Sequence, residues 1–378
     1  MSVNPNPTVA LKLNPNFVLE PAEPVVNADL GQRIVVVLGA NVGLGFEASK
    51  HFARMTPAKL VMACRSEAKG KEAVEGVYEN RLRENVHPLT FEKTLTSFQF
   101  HEKEVKKATG FEAIELRIID LSSFASVRDF ANKYVKEIGQ LDILVANAAM
   151  LPVKYESTVD GWETSLQVNY LSLALLTFLL LPSLIDAAKE AKYKPRIVVI
   201  SSSMHEQTQL DDTVIRAHSI LKQMNDEHYA GDPEIIKRRY SDTKLFGVFF
   251  VCELNERLSR SNPSIIINVT DPGRCESHLS RNFPDAVKQQ IQAMNLQKYT
   301  TEEGSRALVY GAVGEVGKDN EEELRGAHIR RTRKIQYGEF VVGETGQNLQ
   351  KRLWNELIET LCKADTEVEE VIVKYSLQ

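Results

Sequence analysis

Tyr240 and Lys244 stand four residues apart in YSDTK, so on a helix they share one face. Of the 11 tyrosines, only Tyr240 has a lysine at that spacing. A phenol titrates near pH 10, and a nearby ammonium favours its phenolate and lowers that value, which makes the pair a candidate proton donor and tuner. The run RIVVISSS ends in Ser201, Ser202 and Ser203, placed where a hydroxyl can donate to a substrate carbonyl. Serines at such an end also cap strands and helices, so they gain meaning only from their surroundings. Asn169, in QVNYL, lies early in an apolar segment, where a buried amide needs a partner or a function.

The stretch that must position such groups is RIVVVLGANVGLGFEASKHFARM, Arg33 to Met55. An apolar run, Ile34 to Leu38, is followed by Gly39, Gly43 and Gly45, then by Leu44, Ala48, Phe52 and Met55 at helical spacing. That pattern predicts a buried parallel strand, a tight turn and a helix packed back on the sheet. Glycines let backbone approach a phosphate, and the free N–H groups of a helix start hold its charge. About 20 residues beyond the last glycine, where a carboxylate would bind an adenosine ribose, stand Cys64 and Arg65. An arginine there suits a 2′-phosphate, so NADP(H) is expected over NAD(H).

Further apolar strands are expected at Leu60 to Cys64, Ile114 to Asp120, Leu141 to Ala149, Arg196 to Ser203 and Ser264 to Gly273, with a last one at Glu339 to Val342. Helical segments at 123 to 138, 161 to 188 and 240 to 258 alternate with them. The rhythm predicts an α/β fold, a doubly wound parallel sheet in one domain spanning 33 to 378. Residues 1 to 32 read as an extended arm whose Val9, Leu11, Leu13, Phe17 and Val18 pack in part on the domain. Three inserts interrupt the rhythm, at 86 to 112, 204 to 239 and 274 to 298. In the second, Leu210, Val214, Ala217, Leu221 and Met224 suggest an amphipathic helix. A helix at 301 to 313 follows the acidic TTEEGS, and a terminal one carries Leu349, Leu353, Leu357 and Leu361 on one side.

Composition narrows the function. A net charge of −5 gives no reason to expect nucleic acid or an anionic membrane as partner. The basic cluster at 325 to 334 reads as a solvated hairpin or loop. Four scattered cysteines suit a reducing compartment, and the eight histidines form no HExxH or Cys/His cluster, so no metal ligands are expected. The Asn- and Pro-rich N-terminus lacks the pattern of a signal peptide, and the apolar run Tyr170 to Ile185 is short of a membrane span, so a cytoplasmic protein is expected.

Together these motifs resemble the short-chain dehydrogenase/reductase family over roughly Arg33 to Gly273 and, more weakly, to about residue 365. The resemblance rests on GANVGLG (39 to 45), Asp120-Leu121, ANAA (146 to 149), Asn169, the serine run, Tyr240-x-x-x-Lys244 and Pro272-Gly273. The ACRS at 63 to 66, the DGWE at 160 to 163 and the long insert before Tyr240 are similar to the retinol dehydrogenase, protochlorophyllide reductase and carbonyl reductase branches. It implies a Rossmann fold in which Gly39, Asn41, Val42, Gly43, Leu44 and Gly45 cradle the pyrophosphate. Asp120 and Leu121 would flank the adenine, Asn147 and Ala148 would sit beside the ribose, and Pro272 and Gly273 would border the nicotinamide. Tyr240 would deliver the proton, Lys244 would hold the nicotinamide ribose, Ser202 would polarise the carbonyl and Asn169 would support a water relay. Leu38 stands where the family has Thr, which removes a hydrogen bond between the first and fourth strands; Ala146 and Ala149 replace Asn and Gly, and Asp271 precedes the Pro-Gly.

The expected activity is NADPH-dependent reduction of a lipophilic ketone or aldehyde, such as a polyketide, terpenoid, steroid or retinoid, with alcohol oxidation as its reverse. Leu210, Leu221, Met224, Leu279, Phe283, Ile291 and Met294 would line an apolar pocket under a partly mobile lid. A noncatalytic NADP(H)-binding sensor or scaffold on the same fold is the competing reading. Relatives in the family often pair through helices matching 161 to 188 and 240 to 258, a surface that a long insert can cover, so monomer and homodimer both stay open.

Overall fold

In strand β1 (Ile34–Leu38), Val36 and Leu38 face one side of a sheet and Val35 and Val37 the other, and all four are buried. A strand buried on both sides needs helices on both, which crossover connections supply. The structure, a computed structural model, describes residues 19–85, 113–190, 193–208, 210–262 and 264–378. After β1 come α1 (Gly43–Arg54), β2 (Lys59–Cys64), α2 (Glu67–Asn85), β3 (Ile114–Ile118), α3 (Phe124–Glu137) and β4 (Ile143–Ala146). Then follow α4 (Ser172–Glu190), β5 (Arg196–Ile200), α5 (Pro233–Ser261), β6 (Ile266–Asp271) and α6 (Thr301–Val313). The short strands β7 (His328–Arg330) and β8 (Arg333–Ile335) precede α7 (Glu344–Ala364) and α8 (Thr366–Lys374).

The sheet runs in the order β3-β2-β1-β4-β5-β6-β7-β8 and is parallel except for the last pair. It is the doubly wound Rossmann sheet that the sequence predicts, and its direction of winding reverses between β1 and β4, where such folds open a crevice. Helices α1, α2 and α6 cover the face of Val35 and Val37; α3, α4 and α5 cover the other, with α7 and α8 packed outside them. The segment Thr164–Lys189 is apolar and long enough to cross a membrane by composition alone, but 83% of its most apolar stretch is buried in the protein, as in a core helix.

Several expectations are corrected. Glu339–Val342 is a helical turn, not a strand; its Val341 is buried while Val342 is 54% exposed. The sheet instead ends in the β7–β8 hairpin, built from the basic cluster, with His328 and Ile329 buried rather than solvated. Insert 204 to 239 does not hold one amphipathic helix. Asp211, Ser219, Asp226 and Asp232 each cap a new helix with a side-chain oxygen, so the segment breaks into turns before α5. Leu210, Leu221 and Met224 are fully buried in the main core, so they pack the insert and do not line a pocket. The 86 to 112 insert and arm residues 1 to 18 lie outside the described residues.

The described part of the arm is strapped to distant chain. Leu19 N donates to Gln297 Oε1 at 3.0 Å, Tyr299 Oη donates to Glu20 O at 3.0 Å, and Arg306 donates to Glu23 O at 2.8 Å. Glu20 and Glu23 also pair with Arg331 and Arg333 of the hairpin.

The C-terminal helices are integral to the core. Trp354 of α7 lies 5.7 Å from the Phe178 ring of α4 and 6.1 Å from the Phe250 ring of α5, with Arg257 over its face at 4.3 Å. Trp354→Ala should cost about 3–5 kcal/mol and lower the midpoint of a single urea transition. An unchanged midpoint would show α7 to be an appendage.

Candidate active site

The glycine turn has the geometry of an anion cradle. Gly39 and Gly43 take positive φ angles of 68° and 66°, which favour glycine, and a Cβ on Gly45 would lie 2.5 Å from Gly39 O. Val42 precedes α1 without a side-chain cap, and the first turn holds no acidic residue. The leading N–H groups of α1 are therefore offered to an outside acceptor, as a dinucleotide pyrophosphate requires. Asn41, Val42 and Leu44 lie along this turn and are at least partly accessible.

Asn147 does more than border the turn. Its Nδ2 donates to Leu38 O at 3.0 Å and to Gly39 O at 3.4 Å, and Ala148 closes on Gly39 from the same side. A link between β1 and β4 is thus made by an amide, at the place where Leu38 lacks a hydroxyl. At the end of β2, Ala63 O accepts from Gly39 N and Ala40 N, which puts Arg65 at the mouth of the turn, exposed and without an ion-pair partner among the described residues. Asp120 accepts from Ser122 N and Oγ, and Leu121 O accepts from Ser172 Oγ at 2.7 Å.

The remaining predicted residues sit around the carboxyl ends of β4, β5 and β6. Tyr240 and Lys244 lie on one face of α5, with the Lys244 Nζ 5.5 Å from the Tyr240 ring centre. Lys244 Nζ donates to Ile200 O, the last carbonyl of β5, at 2.9 Å. Two residues on, Ser202 Oγ accepts from Met204 N at 3.3 Å, leaving its hydroxyl proton free to donate. Ser201 is buried beneath it, so Ser202 is the accessible member of the pair.

Asn169 sits in a π-helical turn, Gln167–Leu171, a local widening often found at functional positions. Its amide accepts from Met150 N at 2.8 Å and donates to Met150 O at 2.9 Å and to Thr243 Oγ1 at 3.0 Å. Both amide protons are engaged, so its contacts are those of a clamp between the β4 loop and α5. Gly273 takes φ 79°, and its N–H donates to Asp271 Oδ1 at 3.0 Å.

The electrostatics differ from simple tuning of the tyrosine by the lysine. Burial, then the nearby Asp271 carboxylate, push the Tyr240 phenol above its ordinary value. Burial pushes Lys244 down to about 7, against the opposing pull of Asp271. Burial dominates both shifts, so Tyr240 is held as the neutral phenol.

Sequence reasoning missed the groups behind this face. Asp271 is buried and accepts from Arg330 Nε at 3.0 Å, and Arg330 also pairs with Glu206 at 2.7 Å. His205 and His328 lie beside them with ring centres 5.0 Å apart. No local spacing could have joined residues 205 and 328. A polar surface cleft of about 520 Å³ between Tyr155, Glu227, His228, Gly231 and Asp232 holds none of the predicted residues.

Comparison with known proteins gives consistent matches. The profile of the short chain dehydrogenase family matches residues 98–212, a span that includes Asn169 and Ser202 and stops before Tyr240. A short chain dehydrogenase/reductase of Cryptosporiopsis sp., dmxR8, is 30% identical over 338 residues, covering 89% of this chain and 93% of its own. Another, phmF of Phaeosphaeria nodorum, is 30% identical over 376 residues, covering 97% and 98%. Among solved structures, an uncharacterized protein of Mycobacterium paratuberculosis superimposes with a TM-score of 0.57 at 22% identity, covering 89% of this chain and 96% of its own. An NADPH-bound short chain oxidoreductase of Pseudomonas aeruginosa, described as containing an atypical catalytic center, gives 0.51 at 16%, covering 80% and 96%.

The Lys244 shift has a stability consequence. Below pH about 7 the folded protein carries a buried ammonium, and between about 7 and 10.5 it binds fewer protons than the unfolded chain, so stability rises with pH across that window. Lys244→Met should stabilise the fold by about 2–4 kcal/mol at pH 6 and by less at pH 10. Urea titrations showing an equal gap at both pH values would contradict the assignment.

Proposed function

The chain belongs to the short-chain dehydrogenase/reductase family, and on that footing we propose that it is an NADPH-dependent reductase of a lipophilic ketone or aldehyde. As a member it is an oxidoreductase that uses a nicotinamide cofactor on a small-molecule substrate. The observation that carries the reading is the anchoring of Lys244 on Ile200 O at the end of β5, with Tyr240 one turn earlier on the same helix and Ser202 two residues past that carbonyl. The nicotinamide, when bound, supplies the hydride. The chain's own residues handle the proton and the charge. The neutral Tyr240 phenol donates to the carbonyl oxygen, and the free Ser202 hydroxyl steadies the charge developing there. Lys244 holds the ribose side of the site, and Asn169 fixes α5 against the β4 loop through Met150 and Thr243.

The preference for the phosphorylated cofactor is supported by Arg65, exposed at the mouth of the glycine turn without an ion-pair partner among the described residues, with Ser66 leading into α2. The lipophilic character of the substrate is supported by apolar side chains left accessible beyond the strand ends: Leu151, Val153, Leu279 and Met294. A monomer is favoured because α7 and α8 cover the α4 and α5 surface through which relatives pair. Four free cysteines suit a reducing, cytoplasmic setting.

Two variants test the reading. Tyr240→Phe should abolish NADPH oxidation with bulky carbonyl compounds yet keep NADPH binding by fluorescence, whereas wild-type turnover would refute the role of the phenol. Arg65→Asp should reverse the ratio of kcat/KM for NADPH and NADH by at least tenfold; an unchanged ratio would remove Arg65 from the site. Silence of the wild type over a broad carbonyl panel, with NADPH bound, would favour the sensor reading.

A further inference from the structure

We propose that His205, Glu206 and His328 form a binding site for one transition-metal cation of the zinc class, set beneath the turn that carries Ser202. The three residues come from two elements: His205 and Glu206 lie in the short turn Ser203–Gln207 after β5, and His328 opens β7. One ligand atom from each lies within 4.8 Å of the others. Tetrahedral bonds of about 2.0–2.1 Å place donor atoms about 3.4 Å apart, so rotation of the two rings and the carboxylate closes the remaining gap.

The ring nitrogens are prepared for such a role. His205 Nδ1 lies 2.6 Å from Ser202 O, and a carbonyl only accepts, so the bond assigns the proton to Nδ1 and leaves a bare lone pair on Nε2. That Nε2 is buried and has no hydrogen-bond partner among the described residues. His328 is 1% exposed and stacks on Tyr337 at 5.3 Å, and although backbone of Gln336 approaches it, neither of its ring nitrogens reaches hydrogen-bond geometry. Buried imidazole nitrogens without partners on two neighbouring rings are a costly arrangement unless something satisfies them. An imidazole held by a carbonyl on its far nitrogen is the usual posture of a metal ligand.

Charge favours a cation there. Arg330 is shared between Glu206 and Asp271, so the cluster holds two carboxylates and one guanidinium around two imidazoles. Arg330 occupies Glu206 Oε1 and leaves the second oxygen for a metal, and Glu206 is the exposed member of the three. Two imidazoles and one carboxylate suit zinc and disfavour magnesium.

A cation at this point would tie the Ser202 turn to β7 through the His205–Ser202 bond. That effect rests on the function proposed above; the binding does not, so the test reads binding directly. The full chain, stripped with a chelator, is titrated calorimetrically with zinc chloride and with magnesium chloride, and its cobalt(II) absorption spectrum is recorded. The expected results are one zinc per chain, no magnesium heat, and the intense visible bands of four-coordinate cobalt. Glu206→Gln and His328→Gln, with circular dichroism and NADPH affinity as checks on folding, should each weaken zinc at least tenfold. Absence of saturable zinc uptake, a cobalt spectrum like that of the hydrated ion, or equal uptake by both folded variants would overturn the proposal. The cobalt spectrum of the wild-type chain decides the matter even if the His328 variant fails to fold.

Discussion

The hydrogen bond from Lys244 Nζ to Ile200 O is the joint on which the reaction face depends. It joins the middle of the longest helix to the end of a central strand, through a group that burial disfavours in its charged form. One helical turn before it stands Tyr240, and two residues beyond the carbonyl stands Ser202. Their relative placement therefore follows from one contact plus the rigidity of a helix and a strand. Asn169 braces the same helix from the other side through Thr243, so α5 is held at two points. A buried lysine is expensive for the fold, and its retention at this joint is consistent with a functional site that departs from the stability optimum.

The glycine turn depends on a second joint of similar kind. Gly39, Gly43 and Gly45 permit the shape, but what holds it is Asn147 reaching from the end of β4 to the carbonyls of Leu38 and Gly39. The departure at Leu38 loses a side-chain hydroxyl, while backbone carbonyls there keep their link to β4. The cradle is thus fastened to the ends of β1 and β4, where the winding of the sheet reverses, and the Tyr240–Lys244 face to the end of β5, the next strand along.

Much of this was legible in the sequence because it is local. The strand cores declare themselves as continuous apolar runs, since both faces of a parallel sheet are covered, and the Tyr240–Lys244 pair declares itself by helical spacing. What was not legible depends on distance or on competition. The valines of Glu339–Val342 look like a strand, yet the edge of the sheet is taken by β7, whose three residues include a histidine and an arginine that no hydrophobic pattern would single out. The heptad-like run from Leu210 to Met224 looks like one helix, but its polar residues cap successive short ones and the apolar side chains serve the core. The Arg330–Asp271 and Arg330–Glu206 pairs join residues 59 and 124 positions apart, and the His205–His328 contact likewise joins distant segments, so only the folded sheet brings them together.

The strap of the arm links the order of synthesis to the order of folding. Leu19 and Glu20 find their partners at Gln297, Tyr299 and Arg331, separations of 278 to 311 residues. A chain emerging from its N-terminus has to carry this segment undocked until α6 and the hairpin have been made, while β1 through β6 can already pair among themselves. The first part of the described chain to be made is thus among the last to be seated.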